Sequence, residues 1–517
     1  MNSTLYWTAV SAALVLAIVI ASTWHLVRKR RVIESTYDPP SRQWGQAVQA
    51  IWVEEVRPKE QHKMQVIVGT TGMIVSISLG YAFVYTSFVV GWQLWTWLVT
   101  ILVLVATLLP ISYRPRIQVA MWHWPIAITM AALILRIFFL DTIPGGLHVD
   151  EMGVADYAVR HIYPPDGLTI NPFHTASASQ PTLYHYLIRL SFVIFDYSIA
   201  GLRISSVIVG TLAVLATFCV VSEFANRRTA LLTAVLLTAY HYHIHWSRLG
   251  LNNIWDTLWV PLILAFLAWG YRRNWSGGAV LSGLALGLSQ YFYGGNKISF
   301  FLIPFVLWML YREAPDQMRM LIHVGKMAIT AVTVAAPITL FALLQPDIFF
   351  HRSRMVFGWQ SDVIINTVGD YKLADFLWQQ LWRNFGAFTT VPEVTGFYGP
   401  GVPFLIGVAA PLFVIGFIWS IWSRQWIPVL WILFTTFLGG ILLSGAPSSS
   451  HYVVSIPAIC WLTAVPLNWL WENGRWRLAL FLLIVIIITD LGFYFGIYVP
   501  SEPRDLFNQI PDWPLGP

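Results

Sequence analysis

The chain has 517 residues, 57% of them hydrophobic and only 11% charged, against about 25% charged in soluble domains. That balance excludes a soluble globular protein and describes one large integral membrane unit. The net charge of +6 requires no nucleic-acid partner, because Lys and Arg gather in the short cytoplasmic loops of such proteins. Only Cys219 and Cys460 occur, both in apolar runs, so no disulfide or metal framework is expected.

In chain order, about fourteen stretches carry the roughly twenty apolar residues a helix needs to cross the hydrocarbon core. Their limits are 5–27, 65–88, 93–112, 118–140, 204–222, 229–247, 254–271, 277–294, 299–311, 327–344, 403–422, 426–444, 453–471 and 478–499. The predicted fold is all-α: a polytopic membrane helical bundle with short interfacial helices in its outer loops. Arg28, Lys29, Arg30 and Arg31 follow the first stretch at once, which places the N-terminus outside and makes this span a retained anchor. Segment 28–63, with Pro39-Pro40 and mixed charges, reads as a cytoplasmic linker or docking segment. The expected organisation is an anchor and linker over 1–63, two additional helices over 64–117, a main membrane domain over 118–500 with outer loops 141–203 and 345–402, and an outer tail over 501–517.

Counting crossings makes "SYRPRIQ", "EFANRRTA", "GYRRNWSG", "YREAPDQMRM", "WSRQW" and "ENGRWR" cytoplasmic, and each contains Arg, as the positive-inside rule demands. The same count puts the "HVDE" loop, "HWSRLGLNNIWD", "YGGNK", segment 345–402 and "SGAPSSSHY" together on the outer face. There, Asp150 and Glu151 follow the turn-prone Ile143-Pro144-Gly145-Gly146. Adjacent carboxyls oppose one another's ionisation, so one of them can reach a pKa suited to a general base. The plainer alternative is a solvated acid pair on a short surface helix, "DEMGVADYAVR", with Asp150 at its N-cap.

In the second cluster Arg248 precedes Asn252, Asn253 and Asp256. An Arg here either snorkels to water or grips an anion through paired hydrogen bonds. In "SQYFYGGNK", Gly294-Gly295 breaks the span and Lys297 offers a point charge beside Tyr291 and Tyr293. Last, "APSSSHYVVSIP" places His451 and Tyr452 at the start of a span. Acids, cations and phenols at one depth, with an apolar wall behind, suit a lipid phosphate held by Arg248, Lys297 and His451. Segment 345–402 is expected to form short helices capping this pocket, with Arg352 and Arg354 supplied by "FHRSR" and an amphipathic interfacial helix by "GDYKLADFLWQQLWRNF".

The order of the acidic loop, "QPTLYHYLI", "LRISSVIVG", "HWSRLGLNN", "YFYGG" and "SSHYVVSIPA" resembles the GT-C superfamily of membrane glycosyltransferases. The likeness is greatest to its protein O-mannosyltransferase-like and aminoarabinose transferase-like branch, and it spans about residues 118–500. The resemblance implies transfer of a sugar from a polyprenyl-phosphate donor to a protein, lipid or glycan acceptor at the outer face of the inner (plasma) membrane. It also implies that Asp150 is the base, with Glu151 completing the pair, and that the displacement is inverting. Arg248, Lys297, His451 and Tyr452 would bind donor phosphate. His148, Gln180, Asn252, Asn253, Asp256, Tyr291 and Tyr293 would bind substrate. A divalent metal, Mg or Mn, would find oxygen ligands in Asp150, Glu151 and Asp256, although no spacing identifies a metal site. Where aminoarabinose transferases show a Lys before paired prolines, this chain has Ser179-Gln180-Pro181-Thr182, and Lys297 stands where many relatives have Arg. Two other classes remain open: an assembly subunit of a larger membrane complex, with a Trp-rich surface and no convergent pocket, and a transporter, which would show inverted repeats and midplane charges.

Overall fold

The computed structural model describes residues 59–501 apart from 90–91, 110–118, 165–166, 177–179, 273–274, 314–316, 359, 394 and 446. The expected anchor 5–27, the linker up to residue 58 and the tail beyond 501 lie outside the described residues.

The main helices are α1 (Lys59–Phe83), α2 (Trp92–Leu108), α3 (Val119–Ile137), α4 (Val149–Arg160), α5 (Leu183–Phe195), α6 (Ile199–Phe224), α7 (Arg227–Ala239) and α8 (Asp256–Arg272). They continue with α9 (Ser276–Ser289), α10 (Ser299–Glu313), α11 (Gln317–Leu344), α12 (Leu373–Gly386), α13 (Ala409–Trp422), α14 (Trp426–Thr436), α15 (Ile456–Glu472) and α16 (Trp476–Leu491). Among the described residues, seven helical stretches are long and apolar enough to cross a membrane, and the chain is an all-α, polytopic membrane bundle. Each expected span after the first coincides with a helix. A short antiparallel ribbon, β1 (Phe88–Val89) with β2 (Thr169–Ile170), ties the α1–α2 connection to the first outer loop.

Local chemistry sets several boundaries. The Ser198 hydroxyl accepts the Gly201 N–H at 2.9 Å, and Asn226 Oδ1 accepts the Thr229 N–H at 2.8 Å, capping α6 and α7 at their N-termini. The predicted span 229–247 is interrupted at Tyr240, whose backbone is extended, and restarts as the turn His241–Trp246. Helix α5 is an addition inside the loop expected over 141–203: it buries Tyr184, His185, Ile188 and Phe192 while Leu190, Val193 and Ile194 are exposed. Tyr184, His185 and Tyr186 lie together at its start, so its apolar stripe at helical spacing stands out less in the sequence. Helix α1 begins at Lys59, within the last residues of the expected linker.

Helix α15 forms the centre of the bundle, packed against α7, α13, α14 and α16. Helices α8, α9 and α11 pack in succession, and α1 joins the outside of α11. The α9–α11 crossing is close because Gly283 faces the Met327 carbonyl and Gly287 faces Val334; any side chain there would force the helices apart, the small-residue packing common between membrane helices.

Two ends follow from this arrangement. At one end Arg272 bonds the Glu223 carbonyl and Glu313, while Arg228 meets Glu472, joining the loops predicted to be cytoplasmic. At the other end the loops predicted to be outer converge.

Candidate functional site

Three fully buried arginines build the floor under the first outer loop. Arg203 reaches Glu151 from Nε to Oε1 at 3.0 Å and from Nη2 to Oε2 at 3.1 Å, and also donates to the carbonyls of Leu140, Pro144 and Gly146. Arg248 donates to the carbonyls of Ile143, Leu135, Arg136, Phe138 and Phe139 at 2.6–3.1 Å. Arg136 contacts the Ala132, Leu237 and Thr238 carbonyls, Ser247 and His243 Nδ1. Arg203 and Arg248 serve carbonyls where α3 ends and the irregular loop begins, and Arg136 serves those at the end of α7, as buried backbone away from water requires.

The arrangement corrects two expected roles. Arg248 has five N–H donors and gives all five to backbone carbonyls, so it is a structural clamp and does not present a fork to a phosphate. Glu151 is fully buried; besides Arg203, its Oε1 accepts the Gly250 N–H at 2.6 Å and its Oε2 the His148 N–H at 3.0 Å. It is a positioning residue with both oxygens engaged. That also removes it from the expected set of metal ligands, and the acids Asp150, Glu151 and Asp256 do not fit a shared cation. Among the described residues no group of three His, Cys, Asp or Glu side chains could hold a metal ion.

Asp150 stands in a different position. Helix α4 is capped by His148, whose Nδ1 accepts the Asp150 N–H at 3.0 Å, with Glu151 completing a capping box. Asp150 therefore lies in the first turn and not at the N-cap. It is half-buried, and its carboxylate has no hydrogen-bond or ion-pair partner among the described residues. The His148 ring stacks on Phe397, centroids 4.5 Å apart, which brings the loop between α12 and α13 over the start of α4.

Several other expected residues meet in one polar cluster. Asn252 Nδ2 donates to Gln180 Oε1 at 3.1 Å, and Asn253 Nδ2 to the Ser450 carbonyl at 3.4 Å. Asp256 is fully buried, with the Asn296 side chain and the Gly295 and Asn296 backbone beside its carboxylate. Its carboxylate lies against Gly295, where a Cβ would collide with Oδ2. This close approach requires glycine at 295. Lys297 is near enough to Asp256 for their opposite charges to act on each other, and its ammonium sits 5.4 Å from the centre of the Phe349 ring. Tyr293 is within hydrogen-bonding reach of Ser450 and Asn253, and the charge of exposed Arg352 acts on both Tyr293 and His451. The Nδ1 of His451 is buried without a partner among the described residues.

Two expected members are elsewhere. The Tyr291 hydroxyl donates to the Val334 carbonyl at 2.9 Å, and its ring packs on Trp97, so it points between α2 and α11. Tyr452 is fully buried and donates to Asn384 Oδ1 at 2.7 Å, anchoring α12; it offers nothing to a phosphate.

Glu393 is a further acid of the cluster that sequence reasoning missed. It is buried in the loop between α12 and α13, accepts N–H and O–H from Thr395, and leaves Oε2 unpartnered among the described residues. Thr395 Oγ1 lies 3.2 Å from Ser449 Oγ, which links it to the turn bearing His451. Burial pushes the Glu393 carboxyl up to about 7, against the hydrogen bonds from Thr395. The segment 345–402 forms the expected short helices, Pro346–Phe349, His351–Val356 and Ser361–Val368, before α12.

The family model for dolichyl-phosphate-mannose-protein mannosyltransferases matches residues 179–341, about a third of the chain. That stretch contains "QPTLYHYLI", "HWSRLGLNN" and "YFYGG", so the resemblance to GT-C membrane glycosyltransferases rests on more than their order. No curated protein matches the chain. Among solved structures, the oligosaccharyltransferase of Archaeoglobus fulgidus, in complex with Zn and sulfate, is similar at 14% identity and TM-score 0.45, over 72% of this chain and 52% of that one. The chain thus spans about half the length of that relative. ArnT from Cupriavidus metallidurans is similar in its apo state at 14% identity and TM-score 0.46, over 74% of this chain and 77% of that one. The same protein bound to undecaprenyl phosphate matches at 15% identity and TM-score 0.45, over 73% and 76%.

Proposed function

We propose that this chain is a membrane glycosyltransferase that moves a sugar from a polyprenyl-phosphate donor to an acceptor hydroxyl, at the face of the inner membrane where the outer loops meet. The observation that carries the reading is the cluster of Asp256, Tyr293, Lys297, His451 and Arg352, drawn from four separate loops, at the end of an apolar bundle where the loop bearing Asp150 also lies. A phosphate monoester leaving group acquires charge in the transition state, and cations held near it lower that barrier. Lys297 and Arg352 take this role in place of Arg248, with His451 beside them.

Asp150 acts as the general base. Its carboxylate takes the acceptor proton as the acceptor oxygen bonds to the anomeric carbon, and the bond to the donor phosphate oxygen breaks on the opposite side of the sugar. The product is an inverted glycoside, and polyprenyl phosphate departs. Glu151, locked to Arg203, holds α4 so that Asp150 keeps its orientation. Gln180, Asn252 and Asn253 offer amide groups for sugar hydroxyls. The domain over 118–500 would carry this chemistry.

The test is sugar transfer by purified protein in liposomes supplied with a panel of polyprenyl-phosphate sugars. Transfer from at least one donor, with Lys297→Met raising the donor KM about tenfold or more, supports the reading. No transfer from any donor, together with Asp150 and Lys297 variants that alter only association with other membrane proteins, would assign the chain to assembly of a larger complex.

A further inference from the structure

The connection between α12 and α13 folds back on itself as a short hairpin. The Glu393 N–H donates to the Val402 carbonyl at 2.9 Å and the Gly401 N–H to the Glu393 carbonyl at 3.0 Å. Thr395 pairs with Tyr398 in an antiparallel bridge, so Gly396 and Phe397 form the tip. The tip is fixed from below: the Phe397 carbonyl takes the His245 Nε2–H at 2.9 Å, and the buried Tyr398 hydroxyl lies 2.6 Å from His241 Nδ1. The Phe397 ring also rests 5.9 Å from the Trp246 ring, centroid to centroid.

Two parts of the outer end meet at this tip. On one side Thr395 gives its hydroxyl proton to Glu393, so its Oγ1 accepts from the Ser449 hydroxyl at 3.2 Å, in the turn Ser449–Tyr452 that carries His451. On the other side the half-buried Phe397 ring stacks on His148, centroids 4.5 Å apart and planes 26° from parallel. His148 Nδ1 accepts the Asp150 N–H at 3.0 Å, so the imidazole that Phe397 holds is the cap of α4. Residues 395 and 397 can stand at most about 7 Å apart, and that short span ties the loop of Asp150 to the turn of His451.

We propose that Phe397 is a positioning residue for Asp150: its ring holds the His148 ring, and through that cap the first turn of α4, in place relative to the turn bearing His451. The effect on turnover rests on the glycosyltransferase reading, whereas the coupling of the hairpin to α4 does not. Without the aromatic face the His148 ring is free to swing away from the Asp150 N–H, and the base moves with its backbone. A displacement of about 1 Å is enough to lower turnover about 10²-fold. Lys297 and Arg352 are not touched by the change, so the affinity for donor phosphate does not follow.

The test combines steady-state sugar transfer with amide hydrogen exchange on the full-length protein in liposomes. Phe397→Ala is expected to lower kcat about 10–100-fold while donor KM stays within about twofold. Exchange in peptides spanning residues 148–152 is expected to quicken about tenfold, with α15 unchanged. Phe397→Tyr keeps the ring and is expected to return both readings to within about threefold of wild type. His148→Asn keeps a capping acceptor without the ring; it is expected to act like Phe397→Ala, with the double variant no slower than either single one, and it stays informative if Phe397→Ala fails to fold. The proposal is overturned by kcat and exchange both within about threefold of wild type in Phe397→Ala, by a donor KM that rises in step with the loss, by exchange quickened equally in α15, or by losses that multiply in the double variant. Faster exchange at 148–152 in a protein that transfers no sugar from any donor would keep the coupling to α4 and remove the glycosyltransferase reading.

Discussion

Glu151 and Arg203 form a bidentate ion pair, 3.0 and 3.1 Å between heavy atoms, with both side chains fully buried. The adjacent Asp150 makes no such pair among the described residues, so two neighbouring carboxylates are separated into one that holds the loop and one left without a partner there. Their substitutions are expected to differ in kind. Glu151→Gln leaves Arg203 buried beside a neutral partner and is expected to destabilise by about 3–5 kcal/mol. Asp150→Asn keeps shape and removes the proton acceptor, so turnover is expected to fall about 10²–10⁴-fold with an unchanged thermal midpoint. Thermal unfolding and transfer assays on both variants check this; turnover surviving Asp150→Asn within threefold would return Asp150 to an ordinary loop acid.

Arg248→Ala is expected to act on the fold. It removes five donors from carbonyls at the end of α3, and orphaned buried acceptors are unfavourable by about 1–3 kcal/mol each, so a total loss of at least about 3 kcal/mol is expected. Whatever protein remains folded should keep its donor KM. A variant with normal stability and a raised donor KM would restore the phosphate-binding role.

Glu393 gives a pH signature. Its carboxyl, raised from 4.5 to about 7, binds more protons in the folded than in the unfolded chain between those values. Its contribution to stability is therefore present below pH 4.5 and is lost as pH rises towards 7. Glu393→Gln, neutral throughout, is expected to unfold at a higher temperature than the wild type at pH 8 and at the same temperature at pH 4. Equal midpoints at both values would show that the folded carboxyl is not raised.

Sidedness has a direct test. Cys219 and Cys460 are both buried, so a cysteine introduced at half-buried Gly153 offers a distinct target to a membrane-impermeant maleimide. Labelling is expected in intact cells; labelling only after permeabilisation would invert the topology.

Much of the architecture is legible from apolar length and from the Arg-bearing alternate loops, because both report the bilayer itself. Gln180, Asn252, Asn253, Asp256, Tyr293, Lys297 and His451 could be grouped by their common side. The division of labour within the group could not. Arg248 and Lys297 look alike as single basic residues beside a span, yet one is enclosed by carbonyls from a helix over a hundred positions away. Arg203 and Arg136 sit within apolar runs where an unpaired cation is costly, a signal that could have marked them as clamps. Glu393 gave less warning, since a lone acid between Pro392 and Val394 shows its burial only once the loop folds onto Ser449.

Helix α12 turns Gln380 and Asn384 inward, where Gln380 Nε2 donates to the Leu443 carbonyl at 3.2 Å and Asn384 Oδ1 accepts from Tyr452, while Asp375, Gln379 and Arg383 stay exposed. Its outer side carries Trp378 and Trp382, each 69% exposed, with Leu377, Leu381 and Phe385. An exposed apolar side of this kind is expected to lie in the membrane interface as a float rests on a liquid surface. Because the helix is tied to Tyr452, the residue after His451, lipids that change its depth are expected to move the turn Ser449–Tyr452 with it.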